Sequence, residues 1–426
     1  MMSFAAPLLL LLAILRTPLF VVIAASAMLG FYSADIDLSV ISIEIYRLAE
    51  MPVLLAIPLF TFAGYLLGEG KASTRLVNVT NSLLGWMPGG LAIVAIFACA
   101  LFTAFTGASG ITIIALGALL YPALQQSGYH ENFSLGLLTS AGSLGLLFAP
   151  SLPLILYGVV AQQMSLDQPV SINDLFLAGI FPGLLMLIML SLYAMFQPRT
   201  IKPKQAFDAA AAVAALRAAK WEIPLPFLVL GGIYGGYFAV SEAAAVTALY
   251  VLLVEVLVIR EIEFKRLPGI MRDSMMLVGG IMIIIGVSLA STNYLIDAGI
   301  PSKLFAFIQQ HIDDKLTFLI LLNLFLLALG MMLDIFSAIV IIVPIVLPIA
   351  IGYGVHPIHL GIIFLANMQL GYFTPPVGMN LFIASYRFEK PVMLLYRATI
   401  PFFFILLAAV LIITYWPRLS MVLIQP

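Results

Sequence analysis

Apolar stretches of roughly membrane length alternate with short polar segments along the whole chain. A helix crosses the bilayer core with about 20 consecutive apolar residues, so such stretches predict transmembrane helices. They cover residues 4–15, 18–32, 51–68, 91–122, 133–161, 175–196, 223–239, 242–259, 273–296, 316–351, 358–385 and 393–416. The pattern therefore predicts an all-α polytopic membrane protein.

Two of these stretches, 91–122 and 316–351, are too long for one crossing and too short for two. Each is interrupted near its middle by small or polar residues, around Gly107 in the first and around Asp334 in the second. Main-chain groups at such an interruption need partners that lipid cannot offer, so it faces protein, water or an ion. We interpret both stretches as re-entrant helical hairpins.

The chain also contains an internal repeat. The tract from Leu116 to Pro150 recurs from Ile342 to Pro376, with an offset of 226 residues. Identical residues at that offset include Pro122 and Pro348, Gly128 and Gly354, Leu144 and Leu370, Gly145 and Gly371, and Pro150 and Pro376. Two copies of one membrane unit are typical of transporters whose binding site lies between the copies.

This repeat predicts the organisation of the chain. The first unit spans 1–196, with scaffold helices in 1–70, a hairpin in 91–122 and a proline-broken helix in 133–161. The second spans 223–426, with scaffold helices in 223–296, a hairpin in 316–351 and a proline-broken helix in 358–385. Residues 197–222 are Ala-rich, with Phe207, Val213 and Leu216 among charges, and predict an amphipathic linker helix at the membrane surface.

The basic residues predict the orientation. If both hairpins are re-entrant, fifteen of the nineteen Lys and Arg residues fall on one side, and Arg47, Lys303, Lys315 and Arg418 fall on the other. The positive-inside rule makes the first side cytoplasmic. Both termini are then periplasmic, the first hairpin opens to the cytoplasm and the second to the exterior, so the two repeats are inverted.

Composition agrees with this class. Hydrophobic residues make up 63% of the 426 positions and charged residues 9%, and the mean hydropathy is +1.15. A net charge of −1 argues against a nucleic-acid partner, because phosphate binding needs clustered positive charge. With Cys99 as the single cysteine, the chain has no internal disulfide and no cysteine-based metal site. The first apolar stretch lacks a basic region before it and is interpreted as a retained span.

The candidate chemistry lies at the hairpin tips and at two proline-interrupted helices, around Pro150 and Pro376. A proline inside a helix removes one hydrogen bond and frees a carbonyl one turn earlier. Free carbonyls and nearby hydroxyls suit a hard monovalent cation, and the positive helix N-terminus after each break can face an anionic substrate. One tip and one break in each repeat therefore predict two cation sites around a central anion site.

The residues assigned to these sites follow from that scheme. The first cation site comprises Thr106, Gly107, Ala108, Ser109, Pro150 and Ser151. The second comprises Gly330, Asp334, Asn367, Thr374, Pro375 and Gly378. The substrate residues are Ser109, Thr374 and Asn380.

Several of these residues have a structural alternative. A carboxylate at the depth of Asp334 costs about 2.5–3.5 kcal/mol on insertion scales, so it needs either a cation or a structural partner such as a serine. Asn367 and Asn380 could instead join helices by hydrogen bonds. Glu242 lies where a helix cap is expected, and the four histidines, in loops or at helix ends, are assigned no role.

The motifs resemble those of a known family. They are the tip Phe105-Thr106-Gly107-Ala108-Ser109-Gly110, the break Ala149-Pro150-Ser151 with Leu156-Tyr157-Gly158, the turn Phe181-Pro182-Gly183, Glu242-Ala243-Ala244, and the run from Gly371 to Gly378. They are similar to the large membrane subunit of tripartite ATP-independent periplasmic (TRAP) transporters. Compared with the commonest family pattern, the first tip reads Gly-Ala-Ser-Gly instead of Ser-Gly-Ser-Ser, and the first break Ala-Pro-Ser instead of Pro-Pro-Ser.

The resemblance implies a function. Such a protein would import an organic acid, such as a C4-dicarboxylate, sialic acid or a related sugar acid, driven by Na⁺ and by an elevator movement, in the bacterial inner membrane. It would need a small four-helix membrane subunit and an extracytoplasmic binding protein. The cation sites would then be sodium sites.

Other functions are compatible with parts of the sequence. A stand-alone cation/proton antiporter or a carboxylate symporter of the same general fold would work without a binding protein, and Asp334 would carry the proton in the antiporter. Gly107-Ala108-Ser109-Gly110 matches the GxSG of intramembrane serine proteases, but a catalytic dyad needs a histidine at membrane depth. A scaffolding protein would have no use for paired broken helices. We therefore expect a transporter and not an enzyme.

Overall fold

In a computed structural model, residues 17–87, 89–164, 169–197 and 208–424 are described, and every regular element within them is a helix. The all-α prediction is confirmed for this part of the chain. The predicted span at 4–15 and the linker residues 198–207 lie outside the described residues.

The helices of the first half are Leu19–Ser33, Ser39–Ala49, Ala56–Glu69 with a preceding turn Pro52–Leu55, Ala72–Leu84, Gly90–Thr106, Ser109–Gln126, Glu131–Ala141, Leu152–Gln162 and Ile172–Met195. Ala209–Ala218 forms the linker helix. Those of the second half are Pro224–Tyr234, Val240–Leu252, Leu267–Asp297, Ile300–Gln309, Lys315–Met332, Ile335–Gly352, Pro357–Gly371, Met379–Phe388, Val392–Tyr415 and Arg418–Met421.

Eight of the described helices are long and apolar enough to cross a membrane, or nine if one bent pair counts as a span. This confirms the prediction of a multi-pass membrane protein. The stretch 223–239 differs from the prediction, because its helix Pro224–Tyr234 has 11 residues and ends at consecutive glycines, of which Gly236 adopts φ +72°. Ser39–Ala49, Ala72–Leu84 and Ile300–Gln309 are additional helices, too polar or too short to stand out as apolar stretches.

Both predicted hairpins consist of two helices joined by two residues. Gly107 ends the first arm of the first hairpin in the left-handed region, at φ +67°, where a residue with a Cβ is disfavoured. In the second hairpin Asp334 caps the second arm. Three of the four arms are by themselves long enough to count as spans, so re-entrance remains a prediction.

The two proline-broken helices are interrupted at the predicted places. The first runs through Glu131–Ala141 and a short turn, Leu144–Leu147, and resumes at Leu152–Gln162 with a bend of 43°. The second runs through Pro357–Gly371 and resumes at Met379–Phe388. Both breaks contain a cis X-Pro bond, Ala149-Pro150 in one and Pro375-Pro376 in the other.

The two halves of the chain pack against each other at the helices that follow these breaks. The second arm of the first hairpin, Ser109–Gln126, packs on Met379–Phe388, which follows the second break. The second arm of the second hairpin, Ile335–Gly352, packs on Leu152–Gln162, which follows the first break. These two arms begin 226 residues apart and end 226 residues apart, the offset of the sequence repeat. The inverted orientation and the elevator movement remain predictions.

The helix Ala56–Glu69 packs on Val240–Leu252. Its first turns belong to the large apolar cluster around the broken helices, and its later residues Ala63, Leu66 and Leu67 belong to a smaller cluster. On its other side it meets the first hairpin tip. A Cβ added at Gly64 would lie 2.6 Å from the Thr106 Cα and 2.9 Å from the Phe105 carbonyl oxygen. Only a glycine at this position lets the helix touch the main chain of the tip.

Among the described linker residues, the helix covers Ala209–Ala218. Asp208 caps its first turn by accepting a hydrogen bond from the Ala210 amide at 2.8 Å. Ala212 is buried, whereas Val213 and Leu216, the predicted apolar face, are exposed to the surroundings of the chain. Such exposed apolar residues suit a helix that lies in the membrane interface.

Candidate functional site

The first hairpin tip and the first break lie against each other. A Cβ added at Gly107 would be 2.6 Å from the Cδ1 of Leu152, the first residue of the helix after the break. Thr106, Gly107, Ser109, Pro150 and Ser151 are buried, and Ala108 is half-buried. The structure therefore brings together the residues of the first predicted cation site.

The hydroxyls in this site are partly used by the protein itself. Ser151 Oγ donates to the Leu146 carbonyl at 2.5 Å and caps the following helix at the Leu154 amide. Thr106 Oγ1 lies 3.5 Å from the Ala108 carbonyl, which is too long for a strong hydrogen bond. Thr106 is thus the hydroxyl at this tip with the weakest internal partner.

The second tip and the second break are in equally close contact. Gly330 and Gly371 pack backbone to backbone, since a Cβ added at Gly371 would lie 2.5 Å from the Gly330 Cα. The Gly378 amide donates to the Met331 carbonyl at 3.0 Å. Gly378 itself has φ +53°, and a Cβ there would be 2.8 Å from the Thr374 carbonyl oxygen and 3.0 Å from that of Tyr372. Main-chain oxygens therefore converge on this glycine, as a cation site requires.

Asp334 lies at the second tip, half-buried, and its carboxylate is occupied locally. Oδ1 accepts hydrogen bonds from the amides of Phe336 and Ser337 at 3.0 Å each, and Oδ2 accepts from Ser337 Oγ at 2.6 Å. Ile335 is the first residue of the second arm, and its amide donates a hydrogen bond to the hydroxyl oxygen of Tyr372 at 2.7 Å. Asp334 makes the bonds of a helix cap with a serine partner, and these also fix the shape of the tip.

The predicted substrate residues Ser109 and Asn380 meet across the two halves. Ser109 Oγ donates to Asn380 Oδ1 at 2.8 Å, and Asn380 Nδ2 donates to the Thr139 carbonyl at 3.2 Å. All three are buried. Thr374 is bonded elsewhere, because its hydroxyl donates to the Leu370 carbonyl one turn earlier in the chain at 2.6 Å. Ser109 and Asn380 therefore link the first tip to the helix after the second break.

Asn367 takes part in a different network. Its Nδ2 donates to Asn323 Oδ1 at 2.7 Å and to the Ile363 carbonyl at 2.9 Å, and Asn323 Oδ1 also accepts from Thr414 Oγ1 at 3.1 Å. The two bonds to Asn323 join different helices and are of the kind that formed the structural alternative, whereas the bond to Ile363 lies within one helix. The oxygen Oδ1 of Asn367 has no hydrogen-bond partner among the described residues.

The two breaks differ in exposure. Pro150 and Ser151 are buried, whereas Pro375, Pro376 and Val377 are exposed. At the second tip Met332 is 72% exposed. The first tip and break are thus enclosed by the protein, while the second break is reachable from outside it.

Two residues outside the predicted sites, Glu242 and His359, have defined hydrogen-bond partners. Glu242 accepts a hydrogen bond from the Ala239 amide at 2.8 Å, which confirms its interpretation as a helix cap. His359 is at a helix end, as predicted, but it is buried and its Nδ1 lies 2.6 Å from Ser420 Oγ. The sequence did not reveal that burial, because its partner is 61 residues away.

Sequence reasoning also missed Asn323 and Tyr372 as partners of the second site. Tyr372 lies inside the quoted run from Gly371 to Gly378, where an aromatic hydroxyl among apolar residues was a usable signal. Asn323 is the single polar side chain in residues 318–333, a position at which a membrane helix normally needs an interhelical partner.

Comparison with known proteins decides the family. The family described as "Tripartite ATP-independent periplasmic transporter, DctM component" matches residues 6–419. The chain belongs to this family. The C4-dicarboxylate TRAP transporter large permease protein DctM of Pseudomonas aeruginosa is 34% identical over 385 residues, which are 90% of this chain and 88% of that protein.

Further relatives agree with the TRAP assignment. The isethionate TRAP transporter permease protein DctMQ of Oleidesulfovibrio alaskensis is 36% identical over 375 residues, 86% of this chain and 57% of that longer protein. Among solved structures, the YdaH transporter of Alcanivorax borkumensis shares the fold, with a TM-score of 0.62 and 15% identity over 88% of this chain and 87% of that one. The resemblance to TRAP large subunits is thereby confirmed, and the chain is a multi-pass inner-membrane transport protein.

Proposed function

We propose that this TRAP large permease imports a small organic anion by sodium-coupled symport. The observation that carries the proposal is the close contact of tip and break in both halves, Gly107 on Leu152 and Gly330 on Gly371. Each contact gathers main-chain oxygens and hydroxyls that suit Na⁺, a hard cation that prefers oxygen ligands. In the first site the carbonyls carry most of the coordination, because Ser151 is already committed to a hydrogen bond.

The anion would lie between the two cation sites, close to Ser109, Asn380 and Thr374. The helices Leu152–Gln162 and Met379–Phe388 both begin there, and a helix N-terminus favours negative charge. No Lys or Arg occurs in residues 105–110, 148–153, 330–334 or 374–378. Recognition would thus rest on amides, hydroxyls and the bound cations.

The names of relatives support a proposal for the substrate class. Two of them are named for C4-dicarboxylate and isethionate transport, and both compounds are small organic acids. We propose a C4-dicarboxylate or a similarly small acid for this chain, with sialic acid and related sugar acids as further members of the class. A small four-helix membrane subunit and an extracytoplasmic binding protein would act with it.

The test is uptake by proteoliposomes that contain the chain and its small subunit, with the binding protein outside. Labelled succinate, isethionate and sialic acid are offered in turn under an inward Na⁺ gradient. Uptake of at least one acid should need Na⁺, with more than one Na⁺ for each substrate, and should respond to membrane potential if the net charge moved is positive. Unchanged uptake in sodium-free buffer contradicts the coupling.

Variants localise the site. Ser109→Ala and Asn380→Ala remove the two ends of one buried hydrogen bond and should each reduce uptake at least tenfold. Ser82→Ala, in the helix Ala72–Leu84 away from the tips, removes a hydroxyl bonded to the Val79 carbonyl and should leave uptake unchanged. Full uptake without the binding protein would instead support a stand-alone carboxylate symporter.

A further inference from the structure

Four charged side chains from distant parts of the sequence meet away from the tips and breaks. Arg75 lies in the helix Ala72–Leu84, Glu222 in the turn after the linker helix, Glu255 in the π-helical turn Leu253–Val258, and Glu261 in the loop that follows. We call these four residues the Arg75 cluster. It joins the first half, the linker and the second half at one point.

The three carboxylates are held unequally by the single guanidinium. Glu222 lies 2.5 Å from Arg75 Nη2, and Glu261 lies 2.6 Å from Nη1. Glu261 also accepts a hydrogen bond from the Lys71 amide at 2.7 Å. Glu255 has only a 3.4 Å contact with Nη2, the nitrogen that Glu222 already engages.

Glu255 is also the most deeply buried of the three. The residue is 0% exposed, and its Oε2 has no hydrogen-bond partner among the described residues. The Oε2 of Glu222, a residue 3% exposed, is in the same situation. A buried carboxylate oxygen without a donor is costly, and the four residues of the cluster carry a net charge of −2 when all are ionised, three carboxylates against one guanidinium.

We propose that Glu255 is a proton-binding site and remains a neutral carboxylic acid at neutral pH. Two like charges in one buried site favour protonation of the group with the weaker counterion, and that group is Glu255. As an acid, Glu255 donates a hydrogen bond to a neighbouring carboxylate of the cluster. Arg75 then donates hydrogen bonds to the two ionised carboxylates, Glu222 and Glu261, and the Lys71 amide donates a further one to Glu261.

The surroundings contain few other charged or titratable groups that could replace the proton. Lys71 faces Glu261, and the hydroxyl of Tyr250 is used by the Trp221 carbonyl at 2.9 Å. Arg266 is already engaged in an exposed ion pair, in which its Nη2 lies 2.5 Å from Glu69 Oε2. Gly70 leaves room for the acid, because a Cβ there would lie 2.6 Å from Glu255 Oε2. The proton therefore stabilises the contact between the first and second halves of the chain and is not one of the transported ions.

Infrared spectroscopy of the purified full-length chain tests the proposal directly. A buried protonated carboxyl group gives a C=O stretch above the amide band that shifts in D₂O. We expect such a band at pH 7 and its loss in Glu255→Gln. Glu69→Gln, a change in the exposed ion pair, is the control and should keep the band.

Stability provides the second measurement. Glutamine is a neutral group of the same size, so Glu255→Gln should keep the melting temperature of the parent chain and its uptake activity. Glu261→Gln removes a well-paired charge and should lower the melting temperature. A band that survives in Glu255→Gln overturns the proposal, and so does an unfolded or strongly destabilised Glu255→Gln protein.

Discussion

Ser143 Oγ donates a hydrogen bond to the main-chain carbonyl of Gln369 at 3.4 Å, and the two positions are 226 residues apart. That separation equals the offset of the sequence repeat. If the two halves are the predicted repeats, equivalent positions touch only near the axis that relates them, and this contact places that axis close to Ser143 and Gln369. Both residues shortly precede the proline of their own break, Pro150 or Pro376.

The side chain of Gln369 allows a first prediction. It is buried, and neither atom of its amide group has a hydrogen-bond partner among the described residues. Removing a buried amide that lacks partners relieves a cost of about 1–3 kcal/mol. Gln369→Met, similar in shape, should therefore raise the melting temperature. A lower melting temperature would show that the amide has a partner, such as an ordered water or the substrate.

The contact between Gly330 and Gly371 leads to a second prediction. Gly371→Ala places a methyl group against the Gly330 backbone, and such overpacking typically costs about 1–3 kcal/mol. The second tip would move away from its break, so the Na⁺ concentration for half-maximal uptake should rise at least tenfold. Gly280→Ala is the matched control, because open space surrounds that position. Equal sodium dependence in both variants would contradict a cation site at this contact.

Asp334 supports a third prediction, which separates charge from capping. Asp334→Asn keeps an oxygen for the amides of Phe336 and Ser337 but removes the charge. Its melting temperature should stay near that of the parent, while the Na⁺ concentration for half-maximal uptake rises at least tenfold, or about 1.4 kcal/mol. Asp334→Ala also loses the cap and should cost a further 0.5–2 kcal/mol or so of stability. Unaltered sodium dependence in Asp334→Asn would make Asp334 structural.

A fourth prediction concerns acid. Burial favours a higher pKa for Glu261, but hydrogen bonds from Arg75 and from the Lys71 amide outweigh it and hold the pKa below its ordinary value. A carboxyl group with a lowered pKa stabilises the fold above its ordinary pKa, and this contribution is lost as the pH falls through the lowered value. The melting temperature should therefore hold from pH 7 to about pH 5 and then fall.

Glu261→Gln tests this assignment. The variant should melt lower at pH 7 and lose less stability on acidification than the parent chain. Glu69→Gln, which changes an exposed pair worth at most about 1 kcal/mol, should follow the parent curve. Parallel curves for the parent and Glu261→Gln would assign the acid sensitivity to other groups.

The sequence was sufficient to locate the tips and breaks, because Gly107, Pro150 and Pro376 interrupt long apolar stretches, and the repeat marks the break in each half. It could not show that Ser109 pairs with Asn380 while Asn367 pairs with Asn323. Those choices depend on helix packing between segments up to 271 residues apart. The Arg75 cluster was hidden for the same reason, although Glu255 inside the stretch 242–259 was a visible anomaly.

The glycine at position 64 has a consequence for how such transporters diversify. The scaffold helix meets the first hairpin through the main chain of Phe105 and Thr106, which has the same shape whatever side chains those positions carry. Mutations can therefore add or remove hydroxyl groups at the tip, as in the Gly-Ala-Ser-Gly of this chain, without changing the contact between Gly64 and the main chain of the tip. If the tip binds Na⁺ as proposed, its ligands can change while its contact with the scaffold helix stays the same.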